Sequence, residues 1–238
     1  MELIPIKTRV LHPPKDNLCE ILDSTLHGLK ECDIVVITSK IIAIDEGRCV
    51  PIEGTDKEAL VREEADSLYY PEGRLKPLTV THHALISASG IDESNGEGYY
   101  ILLPKDSFAS AKRIHAHLTK THSLSNFGVV ITDSHSLPFR YGAMSVAIGC
   151  WGFAPIESHI GRPDLFGRPM QYSKTNLPDA IAGAVTLISG ECDESQPIAI
   201  VRGIPNIVFT DTDPRPEFFV PYEEDIYRDL FREFKKPE

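Results

Sequence analysis

The sequence predicts an α/β chain of mixed α+β character, arranged as one domain over residues 1–238. Three observations predict it. Short apolar runs rich in Val and Ile recur along the chain, helical apolar patterns separate them, and Gly, Pro, Asn and Asp punctuate the boundaries. The length of 238 residues allows one sizeable core, with room for two lobes.

The strands predicted in chain order are residues 34–38, 79–87, 128–132, 145–148 and 198–201. Val and Ile favour this assignment because their branched side chains pack well on a pleated surface. His82 and His83 fall inside the second run, so strand alternation sends one inward and one outward. The first predicted helix covers residues 107–120, with Phe108, Ala111, Ile114, Ala116 and Leu118 as its apolar members and cations toward its end. The second covers 177–189. Asn176 suits its N-cap, Pro178 and Asp179 suit its first turn, and Gly190 suits its stop. The proline-rich stretch 214–221 reads as an irregular strap, and a helix over 223–234 follows it, so that strap and helix close the chain from about residue 210.

Composition bounds the function. A net charge of -11 excludes a nucleic-acid partner held by a basic surface. Nucleotides remain open, because backbone N–H groups, a few cations and carboxylate-bound divalent metal can hold phosphates locally. The five cysteines (Cys19, Cys32, Cys49, Cys150 and Cys192) lack a CxxC pair, which points to reduced thiols in a reducing compartment and away from zinc. The N-terminus shows no apolar signal core, and no run approaches the roughly 18 apolar residues of a membrane span. A cytoplasmic protein without a membrane partner is expected.

Four segments carry chemistry. In 37–48, Thr38, Ser39 and Lys40 end a strand and Asp45, Glu46 and Arg48 follow; a turn with solvated charges and a phosphate contact by Lys40 are both open. In 87–98, small residues lead into Gly90, and Asp92, Glu93 and Asn95 then gather oxygen ligands in a tight turn. In 128–149, a buried strand delivers Asp133 and Ser134 at its end, with Arg140 and Gly142 on the loop beyond. A carboxylate, a hydroxyl and a guanidinium together suit a metal with an anion. In 189–203, Glu191, Asp193 and Glu194 crowd a helix C-terminus, where the dipole disfavours anions unless a cation offsets them. Glu191, next to Gly190, is the better ligand, and Asp193 and Glu194 read as a solvated loop. His135 and His159 lie beside these loops, and Trp151 reads as core.

Taken in order, TSK with EGR, SGIDESN, LLPKDSFASAKRI, VVITDS with VAIG, GRPDLFGR, and SGE with PIAIVRG form a series. This series resembles the F(420)-0:gamma-glutamyl ligase family from about Leu3 to Gly203, and EEDIYR near the C-terminus also fits. The resemblance implies a family-specific mixed-sheet fold without a P-loop, and indeed no GxxxxGK[ST] occurs. It implies an amide-forming ligase that uses GTP and divalent Mn or Mg, as two ions, to join L-glutamate to a carboxylate-bearing small-molecule acceptor through an acyl phosphate. It further implies a homodimer. Residue by residue, Asp92, Asp133, Ser134 and Glu191 match metal ligands, with Asp92, Asp133 and Arg140 expected at the chemistry. Leu3, Ile4, Pro5, Ile6, Ser39, Lys40, Asn95 and Gly190 match segments that contact the nucleotide.

Three departures stand out: Ile44 replaces a Lys, Ser136-Leu137 replace a Gly-Arg pair, and Ser87-Ala88 replace Ala-Asn. They leave the acceptor open between F(420)-0 and another precursor of folate or dihydropteroate type. A two-metal phosphohydrolase and a non-catalytic nucleotide or cofactor binder are the alternatives from other classes.

Overall fold

The computed structural model describes residues 1–73 and 77–237. The chain begins with β1 (Glu2–Ile6), α1 (Leu18–Thr25), β2 (Ile34–Thr38), α2 (Ser39–Glu46), β3 (Cys49–Pro51) and α3 (Lys57–Glu64). It continues through β4 (Ser67–Tyr69), β5 (Leu78–Thr81), β6 (Ala84–Ser87), β7 (Tyr99–Ile101), α4 (Ser107–His122), β8 (Gly128–Ser136) and β9 (Ala143–Trp151). The last elements are β10 (Ile156–Ser158), β11 (Lys174–Asn176), α5 (Leu177–Ser189), β12 (Ile198–Arg202) and α6 (Arg215–Phe218).

The main sheet has the order β1-β12-β2-β8-β9, in which only β2 and β8 run parallel. It is the mixed sheet that the family resemblance implies. Its central strands are buried on both faces, which is why they read as unbroken Val and Ile runs. Val35, Ile37, Val129, Ile131, Ile198 and Ile200 face one core with α1, α2 and α4. Ile34, Val36, Val130, Ala199 and Val201 face the other, against Leu177, Ile181 and Val185 of α5. A smaller cluster joins Leu60, Val61, Ile91, Tyr100 and Leu102. Trp151 belongs to the core, and its indole N–H donates to Asp211 at 2.7 Å. Among the described residues no helix is long and apolar enough to cross a membrane.

Helix α5 covers the residues that its caps predict, and the Asn176 side chain accepts the Asp179 N–H at 3.1 Å. Four other expectations need correction. Residues 79–87 form a hairpin of β5 and β6, with His82 and His83 as its two-residue turn at φ 53° and 60°. Both histidines are left-handed, as a type I′ turn requires, and the Asp66 carboxylate accepts the His82 N–H. Residues 39–46, for which a turn with solvated charges is one of the two readings open from sequence, are helical, with Gly47 as a left-handed stop. Residues 223–234 form no continuous helix, only short 3-10 turns at Tyr222–Glu224 and Arg228–Phe231. No residue of either turn is buried, so no packing favours a longer helix, and Asp225 accepts the Tyr227 N–H in a competing local turn. The strap over 214–221 itself contains the single turn α6. Phe218 and Phe219 of this segment pack on Phe108, and Phe219 stacks on His83 at 4.1 Å between centroids.

Candidate active site

Thr38 and Thr132 are the last pair across the parallel strands β2 and β8. Ligand sites of α/β sheets form beyond such carboxyl ends. Beyond this pair β2 turns directly into α2, while β8 continues past a bulge at Ile131/Thr132 into a hairpin with β9. The divergence opens a cavity of about 560 Å³. It is lined by Lys40, Asp92, Ser94, Asn95, Asp133, Ser134, Gly190 and Glu191, among others.

The carboxylates meet different surroundings. Asp133, partly buried on β8, accepts the Ser39 hydroxyl at 2.7 Å. Burial pushes its carboxyl up to about 7; the nearby Asp92 charge adds to this, and the Ser39 hydrogen bond opposes it. For Asp92, burial acts in the same direction but is overcome. The Lys40 ammonium at 2.5 Å and the Ser94 N–H and hydroxyl, at 2.8 and 2.9 Å, bring its carboxyl below the ordinary value. Two neighbouring carboxyls are thereby driven apart in acidity, a pattern typical of catalytic sites.

The other two sides of the cavity come from the loop after α5. Ser134 donates to Glu191 at 3.1 Å. The Asn95 amide donates to the Cys192 carbonyl at 2.9 Å and so clasps the 92–98 loop to the 190–195 loop. Gly190 sits at φ 75° and ψ 172°, a region open essentially to glycine alone. A Cβ there would stand 2.1 Å from the Glu194 carboxyl carbon. Glu194 folds back to accept the Cys192 N–H at 2.9 Å, so it braces this loop as well as lining the cavity.

The structure therefore brings together Lys40, Asp92, Asn95, Asp133, Ser134, Gly190 and Glu191, and places Ser39 directly behind Asp133. It places other expected residues elsewhere. Leu3, Ile4, Pro5 and Ile6 form edge strand β1 on β12, with Leu3, Ile4 and Ile6 packed against the cores. Thr8, Arg9, Val10 and Leu11, which follow β1, reach the cavity instead. Arg140 is exposed beyond the end of β8, where its guanidinium donates to the Phe139 carbonyl. Sequence reasoning passed over Ser94, although it lies between Asp92 and Asn95, and Thr8 to Leu11, which carry no motif.

Among the described residues no three His, Cys, Asp or Glu side chains converge closely enough to form an ion cage. The donors that are present, carboxylates and a hydroxyl, suit a hard cation of the Mg or Mn kind. Mg takes one or two carboxylates and completes its sphere with phosphate oxygens and water. A carboxylate whose proton affinity is raised by desolvation is a fitting partner for such an ion.

Comparison with known proteins gives a consistent result. A family model described as F420-0:gamma-glutamyl ligase matches residues 5–203. The chain is 31% identical over 230 residues to the coenzyme F420:L-glutamate ligase of Methanocaldococcus jannaschii, covering 89% of this chain and 90% of that one. It is 30% identical over 249 residues to the protein of that name from Methanosarcina mazei, covering 97% and 96%. The Methanopyrus kandleri protein of the same name is 31% identical over 226 residues, covering 86% of each chain.

Proposed function

The chain belongs to the F(420)-0:gamma-glutamyl ligase family, and from that premise we propose a GTP- and divalent-metal-dependent ligase that joins L-glutamate to a deazaflavin-type acceptor. Amide formation is the activity that the relatives' names carry, and the cavity supplies chemistry that suits it. The observation that carries the reading is the convergence of Asp92, Asp133, Ser134, Glu191 and Lys40 on one cavity at the carboxyl ends of the parallel strands.

A carboxylate does not react with an amine until its oxygen is made a leaving group. In the proposed sequence, an acceptor carboxylate oxygen takes the terminal phosphoryl group of GTP, giving an acyl phosphate and GDP. The neutral amine of glutamate then attacks the acyl carbon, the C–N bond forms, phosphate leaves and the amine gives up a proton. Asp92, Asp133, Ser134 and Glu191 would hold Mn or Mg, whose chemistry when bound is to neutralise charge on the transferring phosphoryl group. Lys40 meets a phosphate oxygen as a point charge. The Asn95 clasp and the Gly190 turn hold the two loops over the reactants and limit water, which would hydrolyse the acyl phosphate. No protein nucleophile is needed.

The homodimer belongs to the same proposal. It is supported by Phe139 and Tyr141 between β8 and β9, and by Leu165 and Phe166 between β10 and β11, all almost fully exposed. Light scattering at micromolar protein should return twice the chain mass, and a monomer mass would remove this part.

Purified protein incubated with GTP, Mn, labelled glutamate and a panel holding F(420)-0 and pteroate-type acceptors tests the reading. Glutamate gained by the F(420)-0-type acceptor is the expected result. Gain only by a pteroate-type acceptor moves the substrate and keeps the ligase. Phosphate release without glutamate, or no glutamate gained anywhere, overturns it.

A further inference from the structure

We infer that Lys40 is a resident counter-ion, holding the Asp92 carboxylate in the ligand-free protein and leaving it for a phosphate, so that divalent cation and nucleotide load the site as a pair. This rests on the ligase reading above and adds an order to its assembly.

The ammonium of a lysine has three donors. In this protein it is engaged on three sides: an ion pair with Asp92 Oδ2 at 2.5 Å, and hydrogen bonds to the Ser94 carbonyl at 2.8 Å and the Ser94 hydroxyl at 3.1 Å. To meet a phosphate, Lys40 has to give up some of these contacts. Asp92 is occupied too, since its other oxygen accepts the Ser94 N–H. A hard cation seeking Asp92 competes with Lys40 for the same oxygen. Asp133, by contrast, accepts the neutral Ser39 hydroxyl, and no ion pair to its carboxylate is found among the described residues. One carboxylate of the pair is open to a cation and the other is closed by Lys40.

The ammonium is not what shapes the loop. Asp92 is held to Ile101 by a reciprocal pair of backbone bonds, Gly96 donates to Glu93 and Tyr99 to Gly96, and Asn95 is tied to the Cys192 carbonyl. Lys40 sits in the first turn of α2 at the cavity wall, its side chain a quarter exposed, on a stem long enough to swing. A phosphate in the cavity offers the ammonium another anion, and its departure vacates Asp92. Each ligand then lowers the cost of admitting the other, and the gain is reciprocal.

The test measures Mn binding through the electron spin resonance signal of free Mn, for wild type, Lys40→Met and Arg9→Met, each with and without saturating GDP. Arg9 is a second cation lining the cavity, held by Asp16 rather than Asp92. In wild type, GDP should tighten Mn binding about tenfold or more, and Mn should tighten GDP by the same factor. Lys40→Met should bind Mn alone about tenfold tighter than wild type, with its GDP coupling reduced to about threefold or less. Arg9→Met should change Mn affinity less than about threefold. If Lys40→Met fails to fold, Lys40→Gln carries the same expectation. Unchanged or weaker Mn binding by the Lys40 variant overturns the inference, as does an equal gain in Arg9→Met, which would mean general electrostatics. If GDP-dependent Mn binding survives in wild type while the Lys40 variant behaves like it, the inference alone falls. If no protein binds Mn even with GDP, the metal-dependent ligase reading falls with it.

Discussion

Asp133→Asn should make the metal-free protein more stable at neutral and alkaline pH while removing its response to Mn. The substitution keeps an oxygen that accepts the Ser39 hydroxyl and removes only the charge. Burial raises the wild-type carboxyl from 3.8 to about 7, so the folded protein holds this proton over a range in which the unfolded chain has lost it. For an acid shifted upward, the stability is fully present below about pH 4 and is lost as pH rises toward about 7. At 1.36 kcal/mol per pH unit the loss approaches about 4 kcal/mol, and solvent reaching Asp133 from the cavity reduces it to about 2–4. Urea unfolding with a chelator, from about pH 4.5 to 8.5, measures this as the difference between variant and wild type. The difference cancels other titrations, such as that of Asp16, which Arg9 holds well below the usual carboxylate range. The variant's advantage should be near zero at the acid end, grow through the window and level off above pH 7. Mn should then stabilise wild type and leave the variant unmoved. A difference that is flat with pH, or a variant less stable than wild type at pH 8, refutes the reasoning about Asp133.

Three further outcomes are expected. Gly190→Ala places a side chain where the backbone is open essentially to glycine and drives Glu194 off the Cys192 N–H, so it should cost about 2–3 kcal/mol in urea unfolding and weaken GDP binding. Full stability in that variant would mean the loop relaxes freely. Asp33→Ala should cost about 3 kcal/mol: Asp33 is fully buried, and its carboxylate accepts two bonds from Arg202, at 2.7 and 2.8 Å, and the Lys30 N–H. Chemical denaturation reads it directly, and a change under about 1 kcal/mol would count against that accounting. Asn95→Ala removes the clasp to the Cys192 carbonyl and should weaken GDP by about 3- to 10-fold in calorimetry with Mn present, leaving the unfolding midpoint nearly unchanged.

Much of this architecture is legible because burial and capping leave marks in sequence. Strands β2, β8 and β12 are buried on both faces, so each reads as a run of Val and Ile. Helix α5 announces itself through Asn176, Pro178 and Gly190. Helix α2 carries only Gly47 as such a mark. Its N-cap Thr38 makes no side-chain hydrogen bond, and Ile41, Ile42 and Ile44 are residues that strands favour; burial against the sheet decides the matter. The β5–β6 turn hides for a related reason, since His82-His83 lacks the Asn-Gly pair that marks a type I′ turn. Strand β1 contains Pro5, which an edge strand tolerates because one side of its ladder is unpaired.

The site divides along the same line. Asp92, Asp133, Ser134 and Glu191 were visible as acids and a hydroxyl placed where a bare strand-turn-helix chain has no use for them. Their relations were not visible. That Lys40 closes Asp92, that Asn95 clasps Cys192, and that Arg140 lies away from the cavity are facts of tertiary packing between distant segments.

The most direct measurement follows an oxygen. An acceptor whose reacting carboxylate is labelled with heavy oxygen is incubated with the protein, GTP, Mn and glutamate, and the released phosphate is analysed by mass spectrometry. Activation through an acyl phosphate predicts one labelled oxygen in phosphate for each amide formed, with GTP consumed in the same proportion. Amide formation that leaves the phosphate unlabelled, or labelled phosphate without any amide, would contradict the proposed ligase.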